Sequence, residues 1–143
     1  MIACMADTIF TRIVRGELPS SKVYEDDQCI AIMDINAVHK GHVLVIPKED
    51  YPNVYELPED LFMHLMKVAK HLALAVKKAT GAEGINIIMN NEPAAGQVIT
   101  DHAHIHIVPR FVGDGLQNWA GKQSYEDGEK DAYAEKITAA LAD

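Results

Sequence analysis

Three histidines alternate with apolar residues in the stretch His102–Arg110, which has the sequence HAHIHIVPR. Successive side chains of a β-strand point to opposite faces, so a strand here places all three imidazoles on one face and Ala103, Ile105 and Ile107 on the other. Neighbouring imidazoles on that face would lie roughly 6–7 Å apart. The alternation therefore predicts a strand with one apolar face and one face that can hold a metal ion or a polyanion.

Three interpretations of these histidines have to be compared. The first interpretation is that they are ordinary polar residues of a strand without a function. Three of the seven histidines of the chain stand in strict alternation, which is not expected by chance. Two histidines two residues apart on a strand can bind zinc, which needs three or four ligands. His42, Asp34 and Asp101 are candidates for the remaining ligands. A phosphoryl group is the third candidate.

Length and charge restrict the class of protein. The 143 residues suit one domain, with a core at about 7–112 and an extension at about 113–143. The net charge of −8 argues against a general nucleic-acid surface, because phosphate backbones are bound by clustered Lys and Arg. Cys4 and Cys29 are too few for a disulfide framework. We find no secretory signal and no apolar run of about 18 residues, and we therefore expect a cytoplasmic protein that binds no membrane.

The periodicity of the chain predicts an α+β fold. A short amphipathic helix is expected at 7–16, capped by Asp7 and ended by Gly16. A helix of roughly five turns is expected after Pro58, with Gly81 as its stop signal. The short connections favour an antiparallel sheet with the helices on one side of it. The other predicted elements are strands at 22–25, 29–33, 42–47, 85–90 and the histidine stretch, and a possible last helix at 129–141.

A loop rich in small residues precedes the histidine stretch and contains Asn90, Gly96 and Gln97. Its glycine lets backbone N–H groups approach an anion closely, so the loop suits phosphate better than zinc. One imidazole could then attack phosphorus and form a covalent intermediate. Its neighbours, partly protonated near their reference pKa of about 6.5, could neutralise charge and protonate the leaving group. Without a metal ion or other cofactor, such donors must stabilise the transferring phosphoryl group.

The histidine stretch matches the HφHφHφφ signature of the histidine triad (HIT) superfamily, in which φ is an apolar residue. The chain from residue 7 to about 112 resembles the Hint-like branch of that superfamily. Five further blocks carry this resemblance: Asp7–Phe10, Glu25–Asp27, Asp34–Ile35, Gly41–Lys48 and Asn90–Glu92.

The resemblance implies a HIT-like fold with a five-stranded antiparallel sheet, one short and one long helix. It also implies a nucleotidyl-histidine mechanism that cleaves purine-nucleoside 5′-phosphoramidates and related conjugates. His104 matches the nucleophile that attacks the α-phosphorus, after which water releases the nucleoside monophosphate. The carbonyl of His102 would orient that ring. His106 would donate to the phosphate and leaving group, and His42 would complete the hydrogen-bonded row.

The same resemblance implies a purine-nucleotide pocket. Asp34 matches the acidic residue that holds the ribose hydroxyls, a role that suits the two oxygens of a carboxylate. Apolar residues match the wall around the base, and the loop before the histidines matches the phosphate contacts. These pocket residues are Ile9, Phe10, Ile13, Ile32 and Ile35 for the wall, and Asn90, Gly96, Gln97 and Val98 in or beside the loop.

Two departures from the family pattern are present. The loop glutamine stands four residues before the first triad histidine in the family, whereas Gln97 stands five before His102. A bulge could absorb the extra residue and re-aim nearby side chains. Some members carry cysteines near the N-terminus that help to bind structural zinc. Thr8 and Thr11 lie at those places, so we predict no such zinc.

The resemblance further implies a homodimer in which two sheets join into one of ten strands. A C-terminal segment, here including Trp119, would help to define the partner's active site. Three other functions stay open: cleavage of dinucleoside polyphosphates as in the Fhit-like branch, a nucleotide-binding scaffold with slow residual catalysis, and metal-dependent hydrolysis. The sequence does not identify the leaving group or distinguish adenine from guanine.

Overall fold

The structure is a computed structural model that describes residues 6–117 and 121–142. Trp119, and with it the predicted contribution to a partner's site, lies outside these residues. Five strands and three α-helices are present within the described ranges. Their bounds are α1 Ile9–Val14, β1 Lys22–Glu25, β2 Cys29–Met33, β3 Val43–Pro47, α2 Glu59–Thr80, β4 Gly84–Ile88, β5 Ile105–Arg110 and α3 Glu129–Leu141.

The five strands form one sheet in the order β1-β2-β3-β5-β4, and every neighbouring pair is antiparallel. This confirms the predicted five-stranded antiparallel sheet. In the β3–β5 pair, Leu44 lies opposite His106. His42 stands two residues before Leu44, so the register makes it a diagonal neighbour of His106 on the same face.

The helices lie on both faces of the sheet, so the expectation that they share one side is wrong. β2 and β3 are almost continuous apolar runs, and such strands have to be covered on both faces. The core under α2 is formed by one face of the sheet and one face of the helix. The sheet side contributes Cys29, Ala31, Val43, Val45, Ala103, Ile105 and Ile107. The helix contributes Leu61, Leu65, Val68, Ala69 and Val76. The core under α1 contains Phe10, Ile30, Ile32, Leu44 and Ile46.

β5 begins at Ile105, later than the alternation predicts, so His102 and His104 lie in the segment that leads into the strand. This segment is held by a loop, because the N–H of Ala103 donates to the carbonyl of Tyr51 at 2.6 Å. The alternation of faces nevertheless holds. The residues between the histidines belong to the α2 core, and the imidazoles lie on the face covered by α1.

Thr8, rather than the predicted Asp7, caps α1. The Thr8 hydroxyl accepts the N–H of Thr11 at 3.0 Å, and the Thr11 hydroxyl accepts the N–H of Thr8 at 3.3 Å. This reciprocal capping box satisfies two N–H groups that the helix leaves without partners. Asp7 instead forms an exposed ion pair with Arg15 at 2.6 Å.

Two glycines are required where the chain turns beside α2. Gly81 ends the helix in the left-handed region with φ of 71°, as predicted. Gly41 has φ of 102°, and a Cβ there would lie 2.5 Å from Cγ2 of Thr80. The backbone that enters β3 therefore passes close to the end of α2, and this approach places His42.

The C-terminal helix α3 confirms the predicted last helix, and it buries none of its residues against the rest of the chain. Within residues 6–117 and 121–142, we find no helix with the length and apolarity needed to span a membrane.

Candidate active site

The four predicted histidines come together in one row, in which two hydrogen-bonded pairs meet at a contact between the rings of His104 and His106. Nε2 of His42 lies 2.9 Å from Nδ1 of His106, and the rings of His106 and His104 are 4.8 Å apart between centroids. Nδ1 of His104 lies 3.0 Å from the carbonyl oxygen of His102. Because His42, His102 and His104 are buried, this row is shielded from bulk water.

The partners of His42 determine which nitrogen of His106 carries a proton. The N–H of Val38 donates to Nδ1 of His42 at 3.1 Å. The neutral His42 ring therefore carries its proton on Nε2 and donates it to Nδ1 of His106. His106 in turn keeps its own proton on Nε2. This arrangement leaves His106 with an N–H donor that is not used within the row.

The backbone carbonyl of His102 determines the tautomer of His104. Since a carbonyl only accepts, Nδ1 of His104 must carry the proton in their 3.0 Å hydrogen bond. The lone pair of the neutral ring is then on Nε2. His104 lines the cleft beside the row, so the structure presents a histidine with the tautomer that a nitrogen nucleophile needs.

The ring of His102 is fixed by a network that the sequence did not indicate. Its Nε2–H donates to the carbonyl of Pro47 at 2.8 Å, and its Nδ1 accepts from the hydroxyl of Thr8 at 2.9 Å. Thr11 donates its hydroxyl to Asp50 at 2.8 Å, and that carboxylate oxygen lies 3.2 Å from Nδ1 of His102. The two threonines thus orient the first triad histidine. No spacing in the sequence pointed to Asp50.

Burial lowers the pKa of all four histidines of the row. The effect is largest for His106, whose pKa falls to about 4 because of its burial and the positive charge that His104 and His42 would carry when protonated. The expected partial protonation is therefore wrong for the ligand-free protein. Desolvation disfavours the imidazolium, so the row is neutral near pH 7.

The lowered pKa values predict that stability falls as the pH falls from 7 to 5. The unfolded chain takes up protons on histidine near pH 6.5, whereas folded His106 resists protonation until about pH 4. His106 alone should lower the free energy of unfolding by about 2 kcal/mol at pH 5 relative to pH 7. Urea unfolding at both pH values measures this change. His106→Asn should reduce it, and an equal change in both proteins would contradict the prediction.

A cleft of about 610 Å³ opens beside the row, within the size range of small-molecule sites. Most of its lining is apolar, and His42, His104 and His106 form part of its wall. It brings together eight of the ten predicted nucleotide-binding residues: Ile9, Phe10, Ile13, Ile32, Asp34, Ile35, Asn90 and Val98. Phe10 also contacts the rings of His102 and His104 edge-on, at 5.6 and 5.0 Å between centroids.

The other two predicted residues, Gly96 and Gln97, are not in the cleft lining, and the contact of their backbone with phosphate stays a prediction. Oε1 of Gln97 accepts the N–H of Glu92 at 2.6 Å, while its Nε2 donates to the carbonyls of Pro52 and Ile99 at 2.7 and 3.0 Å. The side chain is buried and its amide is fully used in shaping the loop. The additional residue lies in the bends and turn at 98–102, rather than in a bulge of β5.

The sequence also missed several cleft residues. Leu44 pairs with Ile32 across β2 and β3, so register could have found it once the strands were aligned. The segment at 18–21 carried no comparable pattern. Further lining residues without a prior prediction are Met33, Asn36, Val38, Ile88, Ile99 and Val108.

Asp34 stands at the edge of the row. Its Oδ1 accepts the N–H of Asn36 at 2.8 Å, and its Oδ2 lies 3.5 Å from Nε2 of His42. Asp34, His42 and His106 have ligand atoms within 4.8 Å of one another and could hold a metal ion. An ion at this place would compete with the hydrogen bond between the two histidines.

An open antiparallel sheet with a buried row of imidazoles beside an apolar cleft defines a histidine triad protein. A family model described as the HIT domain matches residues 15–113, and the chain belongs to the HIT family.

Relatives of this chain include named hydrolases. It is 44% identical over 116 residues to Adenylylsulfatase HINT3 of Arabidopsis thaliana. The aligned region covers 81% of this chain but only 57% of that protein. It is 34% identical over 113 residues to Adenosine 5′-monophosphoramidase HNT1 of Candida albicans, which covers 76% of this chain and 74% of that protein. A crystal structure of a Streptococcus mutans UA159 protein matches with a TM-score of 0.89 and 41% identity, covering 99% of this chain and 89% of that one.

Proposed function

We propose that this protein hydrolyses purine-nucleoside 5′-phosphoramidates and related nucleotide conjugates through a nucleotidyl intermediate on His104. The observation that carries the proposal is the hydrogen bond from Nδ1 of His104 to the carbonyl of His102, which leaves the Nε2 lone pair for attack. The two named hydrolases among the relatives support the substrate class.

In the first step, Nε2 of His104 forms a bond to the α-phosphorus and the bond from phosphorus to the leaving nitrogen breaks. The electron pair goes to the amine, which needs a proton. A neutral His106 would become an imidazolate if it gave up its Nε2 proton. The negative charge of a bound phosphate raises the pKa of the neighbouring histidines, so the His42–His106 pair takes up one proton with the substrate and passes it to the amine.

In the second step, water attacks the phosphorus and the bond from phosphorus to Nε2 of His104 breaks. The proton of the water returns to the His42–His106 pair, and the nucleoside monophosphate leaves. The two steps restore the protonation that the row has in the substrate complex, and the extra proton is released to solvent when the nucleoside monophosphate leaves. The positioned N–H donor of His106 stabilises the charge on the phosphoryl oxygens during both steps.

The cleft provides the binding part of this proposal. Ile9 and Ile35 are 46% and 91% exposed and can cover the face of a purine, while Phe10 forms the base of the apolar wall. Asp34 would accept the ribose hydroxyls, and Asn90 would donate to the phosphate. Apolar contact of this kind accepts either purine base.

The proposal includes the homodimer and a cytoplasmic location. β1 and β4 are the edges of the sheet. On β4, Ile87 and Ile88 are 42% and 38% exposed, so this edge offers apolar surface as well as unpaired backbone groups for a second copy.

A panel of adenylates with different leaving groups tests the function. We expect turnover of adenosine 5′-phosphoramidate to exceed that of diadenosine polyphosphates, and acid quenching followed by peptide mapping to find the adenylyl group on His104. Adenylyl sulfate belongs in the panel because of the named relative. Faster cleavage of dinucleoside polyphosphates would favour the Fhit-like alternative. Binding of AMP without turnover of any member would favour the scaffold.

A further inference from the structure

A second group of metal-ligating side chains lies where the β1–β2 turn meets α2. Asp26 is in the turn, Cys29 is the first residue of β2, and His64 is on the second turn of α2. Their ligand atoms lie within 4.8 Å of one another, and none of the three residues lines the cleft. The side chain of His64 is only 27% exposed and contacts Asp26.

The turn fixes the carboxylate of Asp26 in this group. Its Oδ1 accepts the N–H groups of Gln28 and Cys29 at 2.8 and 2.9 Å. Its Oδ2 accepts the hydroxyl of Tyr24 at 2.8 Å and lies 2.6 Å from Nε2 of His64. Although burial alone would raise the pKa of Asp26, these hydrogen bonds lower it well below its usual value. The group therefore contains a carboxylate oxygen that is ionised near neutral pH.

Cys29 supplies a thiol beside this carboxylate. The residue is fully buried, and burial raises the pKa of its thiol to about 12. Without a cation the sulfur keeps its proton. A divalent ion changes this balance, because a coordinating thiol gives up its proton to the metal bond.

We propose that Asp26, Cys29 and His64 form a binding site for a divalent transition metal ion of the zinc type. One sulfur, one nitrogen and one oxygen suit Zn²⁺, whereas Mg²⁺ and Ca²⁺ prefer oxygen ligands throughout. Three protein ligands leave a fourth position for water. The partial exposure of Asp26 and His64, at 23% and 27%, opens that position to solvent.

Binding at this site releases one proton. The Sγ–H bond of Cys29 breaks, a metal–sulfur bond forms, and the thiol proton passes to the buffer. His64 coordinates through Nε2 as the tautomer that carries its proton on Nδ1. The ion then joins the β1–β2 hairpin to α2 and stabilises the fold by binding only the folded chain.

Cobalt titration of the full chain tests the site, because a thiolate bound to Co²⁺ gives a sulfur-to-metal charge-transfer band that histidine or carboxylate ligands alone do not give. We expect the band to saturate at one equivalent, with release of one proton, and to disappear when Zn²⁺ is added. The Cys4→Ser variant should keep the band. Cys29→Ser should lose it, and His64→Gln should weaken cobalt binding at least tenfold.

His71→Gln is the matched control, because His71 lies two turns further along α2 and is exposed. It should bind cobalt as the unchanged chain does. His64→Gln changes a half-buried residue and leaves the core thiol in place, so it tests the site even if Cys29→Ser does not fold. The proposal is overturned if no band forms, if the band survives in Cys29→Ser, or if His64→Gln binds as tightly as His71→Gln.

Discussion

Replacing His104 with Asn is expected to lower kcat for adenosine 5′-phosphoramidate by about 10⁴-fold or more, since loss of a nucleophile has costs of this order. The Asn side-chain amide can still donate to the carbonyl of His102, so the loop and the cleft should keep their shape. It cannot form a stable bond to phosphorus. Release of AMP, measured by chromatography, gives the rate, and equilibrium binding of AMP gives the affinity.

AMP affinity should change by less than about tenfold in His104→Asn, because the base and ribose contacts lie elsewhere in the cleft. His71→Gln, on the exposed face of α2, should retain the full rate and excludes general effects of purification. Unchanged turnover in His104→Asn would show that another group attacks phosphorus. Trapping of the adenylyl group in the unchanged chain but not in this variant would complete the assignment.

His106→Asn should give the second largest effect, and that effect should depend on the leaving group. General acid catalysis contributes about 10²–10⁴-fold, and we expect a loss of this size for alkylamine leaving groups. A leaving group of low pKa departs without a proton, so the loss should be much smaller there. The slope of log kcat against leaving-group pKa, measured for both proteins, detects the difference.

His39→Gln is a suitable control for His106→Asn. His39 contacts Asp114 at 3.0 Å and does not line the cleft, so its removal should leave the slope unchanged. If His106→Asn lost the same factor for every leaving group, His106 would act on the phosphoryl oxygens alone. Such a result would move the role of proton donor to another residue of the row.

The features that depend on the periodicity and the type of the side chains could be predicted from the sequence alone. Alternation at His104, Ile105 and His106 predicted which side chains share a face, and it holds even before β5 begins. Turn residues such as Gly81 marked the ends of elements correctly. These properties follow from backbone geometry and therefore need no knowledge of distant contacts.

Features that depend on contacts between distant segments could not be predicted. The proton position on His106 follows from the N–H of Val38, which fixes the tautomer of His42 and is 68 residues away from His106 in the chain. The buried amide of Gln97 binds Pro52, which is 45 residues away. The lowered pKa values of the row depend on burial under α1, which the expected one-sided helices would have left open.

Helix α1 connects two parts of the site that the proposed function treats separately. Thr8, at its cap, holds the ring of His102, whose carbonyl holds His104. Phe10, two residues later, is both part of the proposed purine wall and a direct neighbour of His104. A poorly fitting base that displaces this helix would therefore displace the nucleophile as well. Discrimination between bases would then be expressed in the speed of the chemical step more than in the tightness of binding.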